Sequence, residues 1–81
     1  MDKFIYYSQI YNIYAFLLTD RQRDIGDLYF NENLSFSEIA LNKDVSKSYI
    51  GKVINNIISK LDFYETNLEH WKLLQEKTNR N

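Results

Sequence analysis

No cysteine and no proline occur in the 81 residues of this chain, and glycine occurs only twice. Without cysteine, disulfides and thiolate zinc sites are excluded, which leaves a small domain to seek stability from its core or from a partner. A single histidine, His70, excludes a histidine-rich metal site. So little proline and glycine argues against a turn-rich all-β fold, which needs many chain reversals. No charge of one sign dominates either: ten basic and eleven acidic residues give a formal net charge of −1, so no global basic field announces nucleic acid. That balance hides an asymmetry, with four basic and seven acidic side chains in residues 1–45 against six basic and four acidic in residues 46–81.

No long hydrophobic run is present. The most apolar stretch, Phe4 to Leu18, contains Ser8, Gln9, Asn12 and four tyrosines, and is too short and polar to span a bilayer. No small-residue cleavage site follows it. A cytoplasmic protein with no membrane contact is expected.

What the chain does have is a hydrophobic content of 44%, a charged content of 26% and aromatics at 16%, seven of them tyrosine. That is the composition of one folded domain spanning residues 1–81. Tyrosine suits half-buried positions, with the ring covered and the hydroxyl wet.

Apolar spacing indicates helices throughout. Phe4, Tyr7, Tyr11, Tyr14 and Leu18 recur at three and four residues, predicting an N-terminal helix over 1–18. Thr19-Asp20-Arg21-Gln22 reads as a capping box, so a second helix starts near Asp20 and presents Ile25, Leu28 and Tyr29 inward. Asn31-Glu32-Asn33 is the polar break after it. Ser35-Phe36-Ser37-Glu38 repeats the capping logic for a short third helix to about Lys43. Ser46 is a further N-cap candidate, and beyond it the pattern predicts one unbroken helix over 46–77. Ile50, Ile54, Ile57, Leu61, Tyr64, Leu68, Trp71 and Gln75 follow a 4-3 heptad stripe along that helix. At about 1.5 Å per residue it would measure roughly 48 Å, longer than an 81-residue globule can cover. Its stripe, Ile57, Leu61, Tyr64, Leu68 and Trp71, is therefore expected to pack on the N-terminal helix or on a second copy in a homodimer.

Residues 20–60 have the organisation of a helix-turn-helix. Ala40 is the small residue where the two helices cross. Ile39, Val45, Ile50 and Val53 hold the inner faces. The turn needs a residue that tolerates a positive φ, and Asp44 occupies it. The side chains exposed at the start of the second helix would then be Ser46, Lys47, Ser48, Lys52 and Asn55. In such motifs this end enters the major groove. Ser46 and Ser48 suit a phosphate, Lys47 and Lys52 phosphates or guanine edges, and Asn55 an adenine edge. Arg21 and Arg23 are placed to add backbone contacts. Lysines at such positions also occur as an ordinary solvated face. With a net charge of +2 over residues 35–60, binding by one copy should be weak and salt-sensitive.

Other chemistry is poorly supplied. Glu65, Glu69, His70 and Glu76 lack a second histidine-bearing helix and do not make a metal site. No nucleophile–base set, phosphate-cradling glycine loop or paired-carboxylate cleft can be assembled, so the chain is expected not to be an enzyme and to use no cofactor.

The runs Tyr14-Ala15-Phe16-Leu17-Leu18-Thr19-Asp20-Arg21-Gln22, Leu28-Tyr29-Phe30, Leu34-Ser35-Phe36-Ser37-Glu38-Ile39-Ala40 and Val45-Ser46-Lys47-Ser48 resemble the YlxM family over roughly residues 10–75. These are small proteins related to the region-4 helix-turn-helix of sigma factors, an all-α fold of four helices with a long C-terminal one. The resemblance implies a transcription-regulating, DNA-binding role, or an accessory role with the signal recognition particle GTPase or its RNA, beside whose genes the family is encoded. The chain departs from the family in carrying Asp44 where glycine is usual, and the family usually continues past the long helix with an extension.

Overall fold

A computed structural model of the chain describes residues 2–78, and among these the regular structure is entirely helical. Helix α1 runs from Lys3–Tyr14, with the Asp2 carboxylate accepting from the amides of Phe4 and Ile5. It ends earlier than the apolar pattern predicts. A 3₁₀ turn over Ala15–Leu17 follows it, with the Leu18 amide donating to the Ala15 carbonyl at 3.0 Å. The Arg23 guanidinium fixes this corner by donating to the carbonyls of Ala15 (3.2 Å) and Leu18 (2.6 Å). Such orphan carbonyls at a helix end need a donor, and the pattern of apolar residues says nothing about where one will come from.

Helix α2, Asp20–Gly26, opens on the Thr19/Gln22 capping box and continues as a π turn through Asp27–Asn31. Its Gly26 answers a close approach. A Cβ there would lie 2.5 Å from Tyr11 Cε1, and the Tyr11 ring is held in place by its hydroxyl, which lies 2.7 Å from Asp27 Oδ1 and 3.1 Å from the Arg23 carbonyl. Helix α3, Phe36–Lys43, and helix α4, Lys47–Leu68, complete the central set.

The expected unbroken helix over 46–77 is divided, so the described chain has five α-helices rather than four. α4 stops at Leu68, Glu69 adopts a left-handed conformation (φ 54°, ψ 30°), and α5 spans His70–Thr78. Neither glycine nor proline marks this joint. A tertiary contact makes it: the buried carboxylate of Glu65 accepts from the Tyr14 hydroxyl (2.6 Å) and from the amides of Trp71 and Lys72 (3.1 Å each). The Tyr14 oxygen in turn accepts from the His70 amide at 2.9 Å. Three orphan N–H groups of α5 are thus satisfied from α4 and α1, and the Glu69 amide closes the end of α4 on the Glu65 carbonyl at 2.9 Å.

The core lies where α1, α2, α3 and α4 meet. Ile10, Tyr11, Tyr14, Ile25, Ile39, Ile50, Ile57 and Leu61 are each fully buried. The heptad stripe therefore closes the interior of a single chain along most of its length. Ile57 and Leu61 are inside, Tyr64 and Trp71 are half-buried against α1, and Leu68 is exposed at the end of α4. Trp71 packs edge-on to Tyr6 with its indole N–H donating to Gln9 at 2.7 Å. A second copy, for which the long uncovered helix was the reason, would have to be held by other residues than Ile57 and Leu61.

Candidate nucleic-acid interface

The α3–turn–α4 unit is built by local capping. The Ser35 hydroxyl accepts from the Glu38 amide (3.1 Å) while Glu38 Oε1 accepts from the Ser35 amide (2.8 Å), an arrangement that holds the Glu38 carboxyl below its ordinary pKa. At the other end Asp44 is left-handed, with φ 55° and ψ 49°. The Val45 amide reaches back to the Ala40 carbonyl at 3.0 Å and the Asp44 amide to that of Leu41 at 3.4 Å, which is a Schellman turn. Ser46 then caps α4 by accepting from the Tyr49 amide at 3.0 Å. Ala40 is buried at the crossing, and Ile50 and Val53 face inward.

On α4, Ser48, Lys52 and Asn55 are spaced four and three residues apart and all are exposed. They form one stripe on the side opposite to Ile50, Ile54 and Ile57. Lys47 is exposed on one flank, where it lines a shallow cleft of about 320 Å³ with Tyr29, Ser35, Phe36 and Ser37. Arg21 reaches the other flank from α2. Its Nε donates to the Tyr49 hydroxyl at 3.1 Å and its guanidinium carbon lies 5.4 Å from the centre of the Tyr49 ring.

The remaining cations of this half are engaged within the protein. Arg23, expected beside Arg21 as a backbone contact, points instead to the 3₁₀ corner and also pairs with Asp20. Lys43 pairs with Asp24 at 2.7 Å, which holds the Asp24 carboxyl below its usual pKa. Lys60 donates to Gln22 at 3.2 Å, tying α4 to the first turn of α2. Lys47 and Lys52 make no ion pair among the described residues.

Two residues escaped the reading of the sequence. Tyr49 is exposed at the third position of α4, and its phenol finds Arg21 only because α2 and α4 cross there. Glu65 enters the sequence reading only as a member of a set that does not make a metal site, yet its carboxylate is buried. No sequence signal marks either one.

Among the described residues there is no group of three or more histidine, cysteine or acidic side chains that could hold a metal ion, and no helix is long and apolar enough to cross a membrane. At the far end from Lys47, a groove of about 360 Å³ between α1 and α5 is lined by Ile13, His70, Leu73, Leu74 and Lys77.

Comparison with known proteins matches residues 1–81 to the UPF0122 family, described as "Putative helix-turn-helix protein, YlxM / p13 like". A UPF0122 protein of Clostridium kluyveri is 37% identical over 79 residues, covering 98% of this chain and 68% of that protein. One from Thermoanaerobacter sp. is 33% identical over the same length and coverage. One from Ureaplasma urealyticum is 40% identical over 75 residues, covering 93% of this chain and 72% of that protein. No solved structure matches the chain.

Proposed function

The chain belongs to the YlxM / p13-like helix-turn-helix family, and from that premise we propose that it is a non-catalytic regulator that binds duplex DNA in the cytoplasm. The observation that carries this reading is the exposed stripe of Ser48, Lys52 and Asn55 at the start of a capped helix whose opposite face is in the core. An α-helix fits the major groove, which is about 12 Å wide, and the N-terminal residues of a recognition helix meet the base edges. Lys52 is the donor suited to guanine, Asn55 to adenine, and Ser48 to either. Lys47 is suited to a phosphate on the α3 side and Arg21 to one on the α2 side. Ser46 acts by fixing the first turn of α4, and Arg23 by holding the α1–α2 corner.

Fluorescence anisotropy with duplex DNA tests the reading. The Lys47→Glu plus Lys52→Glu chain should lose binding at a salt concentration where the parent binds; unchanged affinity would remove the basis of the proposal. A second reading is favoured by the groove lined by Ile13, His70 and Leu73, in which the chain serves as an accessory to the signal recognition particle GTPase or its RNA without touching DNA. Co-purification with that GTPase or RNA, together with absence of DNA binding at low salt, would support it instead.

A further inference from the structure

We propose that Arg21 and Tyr49 form a two-residue clamp for one backbone phosphodiester of the duplex, so that α2 grips the strand bordering the groove that α4 enters. The inference rests on the reading of α4 as the groove-entering helix and adds to it a ligand group and a second element. Its starting point is the way Arg21 is held. Only Nε is engaged, donating to the Tyr49 hydroxyl at 3.1 Å, while the guanidinium carbon stands 5.4 Å from the centre of the ring. Both terminal nitrogens therefore keep their N–H groups without a protein acceptor among the described residues. The planar fork they form matches two oxygens of a phosphate.

The choice of partner matters as much as the contact. Arg23, the other arginine of α2, is neutralised by Asp20, and Lys43 by Asp24. Arg21 is held by a neutral phenol, which orients the guanidinium and leaves its full charge available. Asp24 stands close enough to feel Arg21, but Lys43 already occupies its carboxylate. The phenol oxygen accepts from Arg21, so the Tyr49 proton remains to be donated to the same anion. Tyr49 lies in the first turn of α4, its amide on the Ser46 cap, and both residues are exposed. Arg21 belongs to α2 and approaches from outside the groove, which directs its fork to the sugar-phosphate strand rather than to the base edges.

The test uses the full chain, a mixed-sequence duplex and anisotropy titrations over a series of salt concentrations, with circular dichroism to confirm that each variant is folded. Arg21→Ala should lower the magnitude of the slope of log K against log salt by about 1, the signature of one lost phosphate contact. Tyr49→Phe, which keeps the ring and removes the hydroxyl, should weaken binding by about fivefold, the effect of one hydrogen bond. Combined with Arg21→Ala it should add nothing, because each variant dismantles the same clamp. Equal binding by Tyr49→Phe and the parent, or full additivity in the double variant, would overturn the clamp. If Lys47→Glu plus Lys52→Glu abolishes binding while Arg21→Ala keeps the parental slope, the clamp is wrong and the groove-entering helix stands. If the parent fails to bind duplex at low salt, both fall together.

Discussion

The two glycines behave oppositely, and the reason is what stands opposite each. Ala is the better helix former by about 1 kcal/mol, so propensity alone favours replacing both. At Gly51 the added Cβ would meet Phe36 at 3.7 Å, ordinary contact, and Gly51→Ala should raise stability by about that amount. At Gly26 it would enter the Tyr11 ring, which is fully buried and tethered at its hydroxyl. Overpacking of this kind costs about 1–3 kcal/mol, and Gly26→Ala should destabilise the protein despite its gain in propensity. Urea midpoints for the two variants, moving in opposite directions from the parent, are the check. The same buried tyrosines set an alkaline limit. Burial, reinforced by the Glu65 carboxylate, pushes the Tyr14 phenol up to about 12, and burial beside Asp27 raises Tyr11 as well. A phenol that ionises at about 10 when unfolded therefore stabilises the fold fully below that pH and progressively less as pH climbs toward the folded values. Urea midpoints should fall above pH 10, and Tyr14→Phe should flatten part of that fall.

Among the elements, α5 depends most on a single side chain. The Glu65 carboxylate receives the Tyr14 hydroxyl and two α5 amides, one on each oxygen, and Glu65→Gln replaces one acceptor oxygen with a donor facing one of those amides. An unmade buried hydrogen bond costs about 1–3 kcal/mol, so amide exchange in α5 should accelerate by about tenfold or more. Exchange in the Ile50–Leu61 part of α4 should change much less; uniform acceleration through both helices would show that α5 is not a separately held unit. This joint also separates what the sequence reveals from what it conceals. Thr19 with Gln22, Ser35 with Glu38, Ser46 and the left-handed Asp44 are read correctly because each acts within a few residues of itself. Glu69 is an ordinary helix former by propensity, and no glycine, proline or capping pattern beside it signals a left-handed turn. The decision comes from Tyr14, 51 residues before Glu65 in sequence. The early end of α1 has the same origin, since Arg23 lies beyond the helix it terminates. The exposed stripe of Ser48, Lys52 and Asn55 is legible from spacing, whereas the Arg21–Tyr49 contact requires knowing how α2 crosses α4.

Taken whole, the molecule carries almost no net charge, so the proposed binding of DNA would rest on a few placed cations. Among the described residues no carboxylate neutralises Arg21, Lys47, Lys52 or Lys60 of the helix-turn-helix, and Lys60 is tied to Gln22, which leaves the first three. On the proposed reading the two phosphate contacts, Arg21 and Lys47, at about 0.9 each predict a slope near −2 for log K against log salt. A much steeper slope would require more chains on the duplex or contacts made elsewhere. The division of the C-terminal helix at Glu69 acquires a consequence at this scale. α4 alone contains 22 residues, about 33 Å of rigid rod, which is more than twice the width of the major groove it would enter. One tip bears Lys47 and the other hands over to α5. The helix is then a spacer of fixed gauge, and a body grasping α5 would stand clear of the DNA.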